Sequence, residues 1–143
     1  MTRHFASYTD ARTHLRTILD TARTGRITTL ARDHDVFTVV SAGLLRRELA
    51  RLRPSHAVVV AEGGGWAALV PGIPVAGDAT TLDGAVDDLI DALREYADDW
   101  NERLVDAPNH RDSWSLVELI VLSTDEQLRE WILVGEAPTA TSR

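Results

Sequence analysis

Residues 57–104, AVVVAEGGGWAALVPGIPVAGDATTLDGAVDDLIDALREYADDWNERL, hold the two patterns that decide the fold. Residues 57–62 and 66–70 are short apolar runs of strand length, and Gly63-Gly64-Gly65 between them suits the positive backbone angles of a tight hairpin turn. Pro71, Gly72 and Pro74 interrupt the sheet, Val75-Ala76 read as a further short strand, and Gly77-Asp78 read as a turn. Over residues 81–104 the period changes from two to nearly four. Leu82, Ala85, Val86, Leu89, Ile90, Leu93, Ala97, Trp100 and Leu104 recur on one face of a long helix, capped by Thr80 with Asp83 or by Thr81 alone. The opposite face carries Asp87, Asp88, Asp91, Glu95, Asp98, Asp99 and Glu102.

The chain before this unit reads as a smaller β-α-β-β-α module. Phe5-Ala6 suggest a short edge strand, followed by a helix capped by Ser7 or Thr9, with Asp10 in its first turn and Gly25 at its end. Tyr8, Ala11, Leu15, Ile18, Leu19 and Ala22 form its apolar stripe. Residues 27–30 and 36–40 read as strands joined by the polar turn Arg32-Asp33-His34-Asp35. A short helix over residues 44–52 points Leu45, Leu49 and Leu52 inward and Arg46, Arg47 and Arg51 outward, and Pro54 marks a boundary. So small a module buries little surface, which favours dimerisation. After the long helix, Pro108-Asn109 break the chain and residues 116–122 read as helical or extended. Ser123-Thr124-Asp125-Glu126 has a capping-box pattern, opening a helix with Leu128, Trp131 and Ile132 on one side. Gly135 and Pro138 end regular structure, leaving residues 138–143 as a loose tail. The expected organisation is therefore α+β with three segments, 1–54, 55–107 and 108–143.

Charge divides along the same line. Residues 1–55 hold ten arginines against five acidic residues (+5), whereas residues 56–143 hold five against seventeen (−12), giving the net −7. A basic module suits a polyanion and an acidic one a different partner. With 143 residues and no cysteine, the chain has no disulfide, thiol nucleophile or cysteine zinc site, which points to the cytoplasm. Its apolar runs are too short to cross a bilayer, and no signal core follows Met1, so no membrane partner is expected.

Catalytic patterns are missing. The histidines at 4, 14, 34, 56 and 110 show no metal-binding spacing, His34 between Asp33 and Asp35 reads as a turn residue, no nucleophile elbow occurs, and Gly63-Gly64-Gly65 lacks the ending of a phosphate loop. Neither an enzyme nor a cofactor or metal is expected. Of the four tryptophans, Trp100 fits the helix core, while Trp114 and Trp131 fit core packing and an exposed protein-binding anchor equally well.

The order Tyr8-Thr9-Asp10-Ala11-Arg12-Thr13-His14-Leu15-Arg16-Thr17-Ile18-Leu19, then Gly25, the strands at Ile27 and Val39-Val40, and Ser41 resembles the prevent-host-death (Phd/YefM) antitoxin family over residues 3–52. The family's Gly and Pro in the strand turn are replaced by Asp33-His34-Asp35-Val36. Gly65-Trp66-x-Ala68-x-Val70-Pro71 and Gly77-Asp78-x-x-Thr81-Leu82-Asp83-x-Ala85-Val86 resemble the HicB-like antitoxin domain over residues 56–97, without its usual Gly-Cys after the proline turn. Both resemblances imply an antitoxin of a type II toxin–antitoxin system. Its first unit would dimerise through a shared sheet, bind operator DNA and repress its own operon, with Arg3, Arg12, Arg16 and Arg32 on the DNA. Its acidic half would neutralise a basic, RelE-like toxin, with Leu128, Trp131 and Ile132 as anchors. On that reading, deleting residues 108–143 abolishes neutralisation and spares DNA binding. The alternative is a stand-alone transcriptional regulator whose acidic half senses a small molecule or oligomerises.

Overall fold

A computed structural model describes residues 3–134, the Arg3 side chain excepted; the expected chain end at Gly135 and Pro138 and the tail 138–143 lie outside the described residues. The architecture is mixed α+β, with two three-stranded sheets and six α-helices among the described residues. The chain forms two compact units, Met1–Arg47 and Glu48–Arg143.

In the first unit, β1 (Arg3–Phe5) pairs in parallel with β2 (Thr28–Arg32), which pairs antiparallel with β3 (Asp35–Val39). Parallel pairing of β1 with β2 needs a crossover, which the intervening helices supply. Ser7 caps α1 (Tyr8–Thr13) by accepting the Asp10 amide at 3.1 Å. The expected single helix is broken at His14, whose backbone leaves the helical region (φ −108°, ψ 23°), and α2 (Leu15–Arg23) follows. The His14 ring stacks on Phe5 at 5.3 Å, and its Nδ1 lies 2.9 Å from the Asp10 carbonyl oxygen. Phe5, Ala11 and Ile18 form the core, with Leu30 and Val39 packed against them. Half of the expected helical stripe stays outside it: Tyr8, Leu15 and Leu19 are each more than half exposed. β2 starts one residue later and ends two later than expected and β3 lies one residue earlier, so Arg32 and Asp35 pair in the strands and the turn is only Asp33 and His34, Asp33 at φ 57°.

The division between units falls within α3 (Ala42–Leu52). Leu49 is buried, but Leu52 is 74% exposed rather than inward, because the helix ends there and the chain continues to Pro54. The second unit then forms β4 (Val58–Glu62), β5 (Gly65–Leu69) and β6 (Ala76–Ala79), an antiparallel meander in that order. Gly63 and Gly64 at φ 58° and 82° make the β4–β5 turn. Gly77 and Asp78, expected as a turn, lie inside β6. A Cβ on Gly77 would fall 2.3 Å from the Leu89 amide nitrogen and 2.5 Å from the Ala85 carbonyl oxygen. The glycine is there to let a helix backbone lie on the strand, not to turn the chain.

That helix is α4 (Leu82–Asp99), capped by Thr81, whose hydroxyl accepts the Gly84 amide at 3.0 Å. Its predicted face is buried from Ala85 to Ala97, and Tyr96 joins it. The last turns, Trp100–Leu104, widen to a π-helix, and a 3₁₀ segment, Pro108–Ser113, returns the chain. Residues 114–122 are helical: α5 (Trp114–Leu122) and α6 (Asp125–Val134) both pack on α4. The capping box at α6 is Thr124 with Gln127, one residue later than Ser123 with Glu126, each side chain bonding the other's backbone amide at 3.1 and 2.8 Å.

Candidate functional site

On the first unit, the β2–β3 turn and the start of α1 converge. The Arg32 guanidinium carbon sits 5.5 Å from the Tyr8 ring centroid, a cation–π contact. Arg12 is four residues after Tyr8 on α1 and therefore on the same helix face. Tyr8, Arg12 and Arg32 are all exposed, so they present a cationic and aromatic surface. Arg16 is exposed on α2, but the break at His14 separates it from the helix of Arg12, so the two do not share one continuous helical face. Arg3 begins β1, and its side chain is outside the described residues. This unit carries eight arginines against four acidic residues, or +4.

The second unit carries seven arginines against eighteen acidic residues, or −11. Part of the acidic face of α4 is structural. Arg129 of α6 bridges Asp83 at 3.5 Å and also pairs with Asp87, Asp88 Oδ2 accepts the Asp78 amide at 3.0 Å, and Asp99 accepts from Arg103 at 2.7 Å. That last hydrogen bond and the Asp99 charge hold the Arg103 pKa above its ordinary value. Among the described residues, Asp91, Glu95 and Asp98 have no ion-pair partner and keep a net negative surface on α4. Arg94, beside them on α4, is engaged with the neighbouring helices, donating to the Ile120 and Ser123 carbonyl oxygens at 2.6 and 2.8 Å and to Asp125 at 2.7 Å. It thereby satisfies carbonyls at the end of α5 and meets a carboxylate in the first turn of α6.

Residues 1–134 match the PHD_like family, antitoxins of RelE/RelB toxin–antitoxin systems. The chain belongs to that antitoxin family. The antitoxin's fold is similar to a crystal structure from Syntrophomonas wolfei subsp. wolfei, assigned as the antitoxin part of a proposed toxin/antitoxin system. The TM-score is 0.74 at 20% identity, covering 92% of this chain and 95% of the other. No curated protein matches the antitoxin's sequence.

The tryptophans that sequence left undivided are separated in the antitoxin. Trp131 is buried and its Nε1 donates to the Arg53 carbonyl oxygen at 2.7 Å, whereas Trp114 is 50% exposed at the start of α5. Leu128 and Ile132 are fully buried, so with Trp131 they complete the antitoxin's own second core rather than lying at its surface. Sequence reasoning missed Tyr8 as part of the basic surface, because its helical spacing assigned it to the core stripe. It also missed Tyr96, whose hydroxyl lies 2.8 Å from His110 Nδ1 and 3.0 Å from Ser113 Oγ. Together with the Trp100 Nε1 bond to the His110 carbonyl oxygen at 2.8 Å, this network ties residues 108–113 to α4.

Proposed function

We propose that the antitoxin acts by binding alone, holding operator DNA through its first unit and a RelE-like toxin through its second. The observation that carries this reading is that the charge changes sign with the structural unit, +4 before Glu48 and −11 after it. Tyr8, Arg12 and Arg32 supply one DNA-contacting surface, with Arg3 and Arg16 extending it, and binding represses the antitoxin's own operon. The first unit works as a dimer, or within a higher oligomer. Support comes from Leu15, Leu19, Ile27, Val36 and Phe37, all at least 44% exposed, and from β3, a sheet edge with an exposed flank. On the acidic unit, the face of α4 with Asp91, Glu95 and Asp98 steers a basic toxin into encounter. Leu128, Trp131 and Ile132 act on toxin binding through the fold they hold together, not by direct contact.

The test has two arms. A mobility shift with the antitoxin's own promoter should weaken steeply as salt rises, because each neutralised phosphate releases counterions. Co-expression with the product of the adjoining gene should relieve growth arrest and yield a stable complex. No shift in dilute buffer removes the DNA role, and no complex removes the toxin assignment.

A further inference from the structure

The second sheet has two edges and two faces, and each pair is treated unequally. α4 covers one face, where Ala68 is fully buried and Gly77 admits the helix backbone. By alternation and register the other face carries Val58, Val60, Ala67, Leu69 and Ala76, with the acidic residues Glu62 and Asp78 at its turn end. Val60 is 40% and Leu69 37% exposed, an apolar patch on which no helix of this unit packs among the described residues. At the β6 edge, the outward amide of Asp78 is taken by Asp88. At the β4 edge the two-residue turn makes Glu62 and Gly65 a hydrogen-bonded pair, so Val60 and Val58 bond inward and Val59 and Ala61 direct their amides and carbonyls out of the sheet. Among the described residues nothing takes those groups. An open edge beside an apolar face is a template for an added strand.

Charge selects the occupant. Joining two copies at β4 would bring together two units of −11 each, whereas a cationic chain is attracted to so acidic a unit. We propose that β4, with the outer face of Val58, Val60 and Leu69, receives an extended segment of the basic toxin as a fourth strand of this sheet. The proposal rests on the antitoxin reading above and assigns it a surface. Backbone bonds to Val59 and Ala61 hold the segment, alternate side chains of the segment cover Val60 and Val58, and the acids of α4 hasten encounter.

The experiment titrates the purified product of the adjoining toxin gene into the full-length antitoxin by calorimetry. Ala61→Pro removes one outward amide that makes no bond within the sheet, a position where an edge strand accepts proline. Val60→Arg places a cation on the exposed face against a basic partner. Each variant should weaken binding by about tenfold or more, as truncating a residue central to an interface does, with the melting temperature and promoter binding retained. Trp114→Ala, an exposed aromatic on another element, should leave affinity within about threefold, as changes outside an interface do. If Ala61→Pro lowers the melting temperature, Val60→Arg alone decides. Wild-type affinity in the β4 variants overturns the site and leaves the antitoxin reading standing, whereas failure of the wild-type chain to bind overturns both. If sedimentation shows that the variants break self-association while toxin binding persists, the edge belongs to a second copy and the proposal fails.

Discussion

The two units solve the burial problem to different degrees. The first has a core of Phe5, Ala11 and Ile18 with a few partly covered neighbours, and it leaves Tyr8, Leu15, Leu19, Ile27, Val36 and Phe37 between 44 and 65% exposed. The second encloses Val86, Leu89, Leu93, Leu116, Val117, Leu119, Ile120, Leu128 and Ile132, each at most 1% exposed. Both use strands of three to five residues. The difference is the number of layers: the second unit packs α4 on a sheet and then α5 and α6 on α4, while the first has only broken helices over three strands. A unit with few layers keeps apolar surface that a partner must cover.

The contrast is broken most severely at the second core. Gly77→Ala sets a methyl against α4 backbone, and Leu128→Ala empties a fully buried site. Each should cost about 3 kcal/mol or more of stability, judged from overpacking and cavity series, as chemical denaturation of the second unit would read. Leu19→Ala in the first unit should cost less than about 1 kcal/mol within the monomer, in line with exposed substitutions, while weakening the proposed dimer. A monomer destabilised as strongly as by Leu128→Ala would place Leu19 in a core after all.

An effect smaller than that of the core substitutions is expected at Arg94. Removing its bonds to Ile120, Ser123 and Asp125 with Arg94→Ala should lower the second unit's stability by on the order of 2 kcal/mol, visible as a lower melting temperature with promoter binding unchanged. Arg12→Ala and Arg32→Ala should each lower the slope of log affinity against log salt by about one, the change expected when one phosphate is no longer neutralised; an unchanged slope in both would remove this face from the DNA. One change is a gain. Thr28 Oγ1 is buried without a hydrogen-bond partner among the described residues, so Thr28→Val should stabilise the first unit by about 1 kcal/mol. A loss of stability on denaturation would show that the hydroxyl is satisfied in solution. Deletion of residues 108–143 is a poor probe of toxin binding, since it strips Leu116, Val117, Leu119 and Ile120 from α4 and dismantles the unit.

Local signals located the elements well. The glycines at 63 and 64, the Thr81 cap and the apolar face of α4 act within a few residues of one another, so period and turn chemistry expose them directly. Local signals failed where a distant element decides. Gly77 resembles a turn glycine until α4 is laid on it, and His14 resembles a helical residue until Phe5 draws its ring aside. For the site, the basic and acidic halves were legible as counts of charge, but the meeting of Arg32 with Tyr8 was not, because it joins a strand turn to a helix start.

By itself the sequence determined the second unit's β4–β5 hairpin and long helix, the approximate place of most other elements, and that cationic and anionic charge occupy opposite ends of the chain. Periodicity, caps and composition depend only on neighbours along the backbone. Tertiary structure alone decided which apolar residues are spent inside and which remain exposed: Trp131 rather than Trp114, Ile18 rather than Leu19. Burial is a property of what lies across from a side chain, and spacing along one helix names a face without naming its cover.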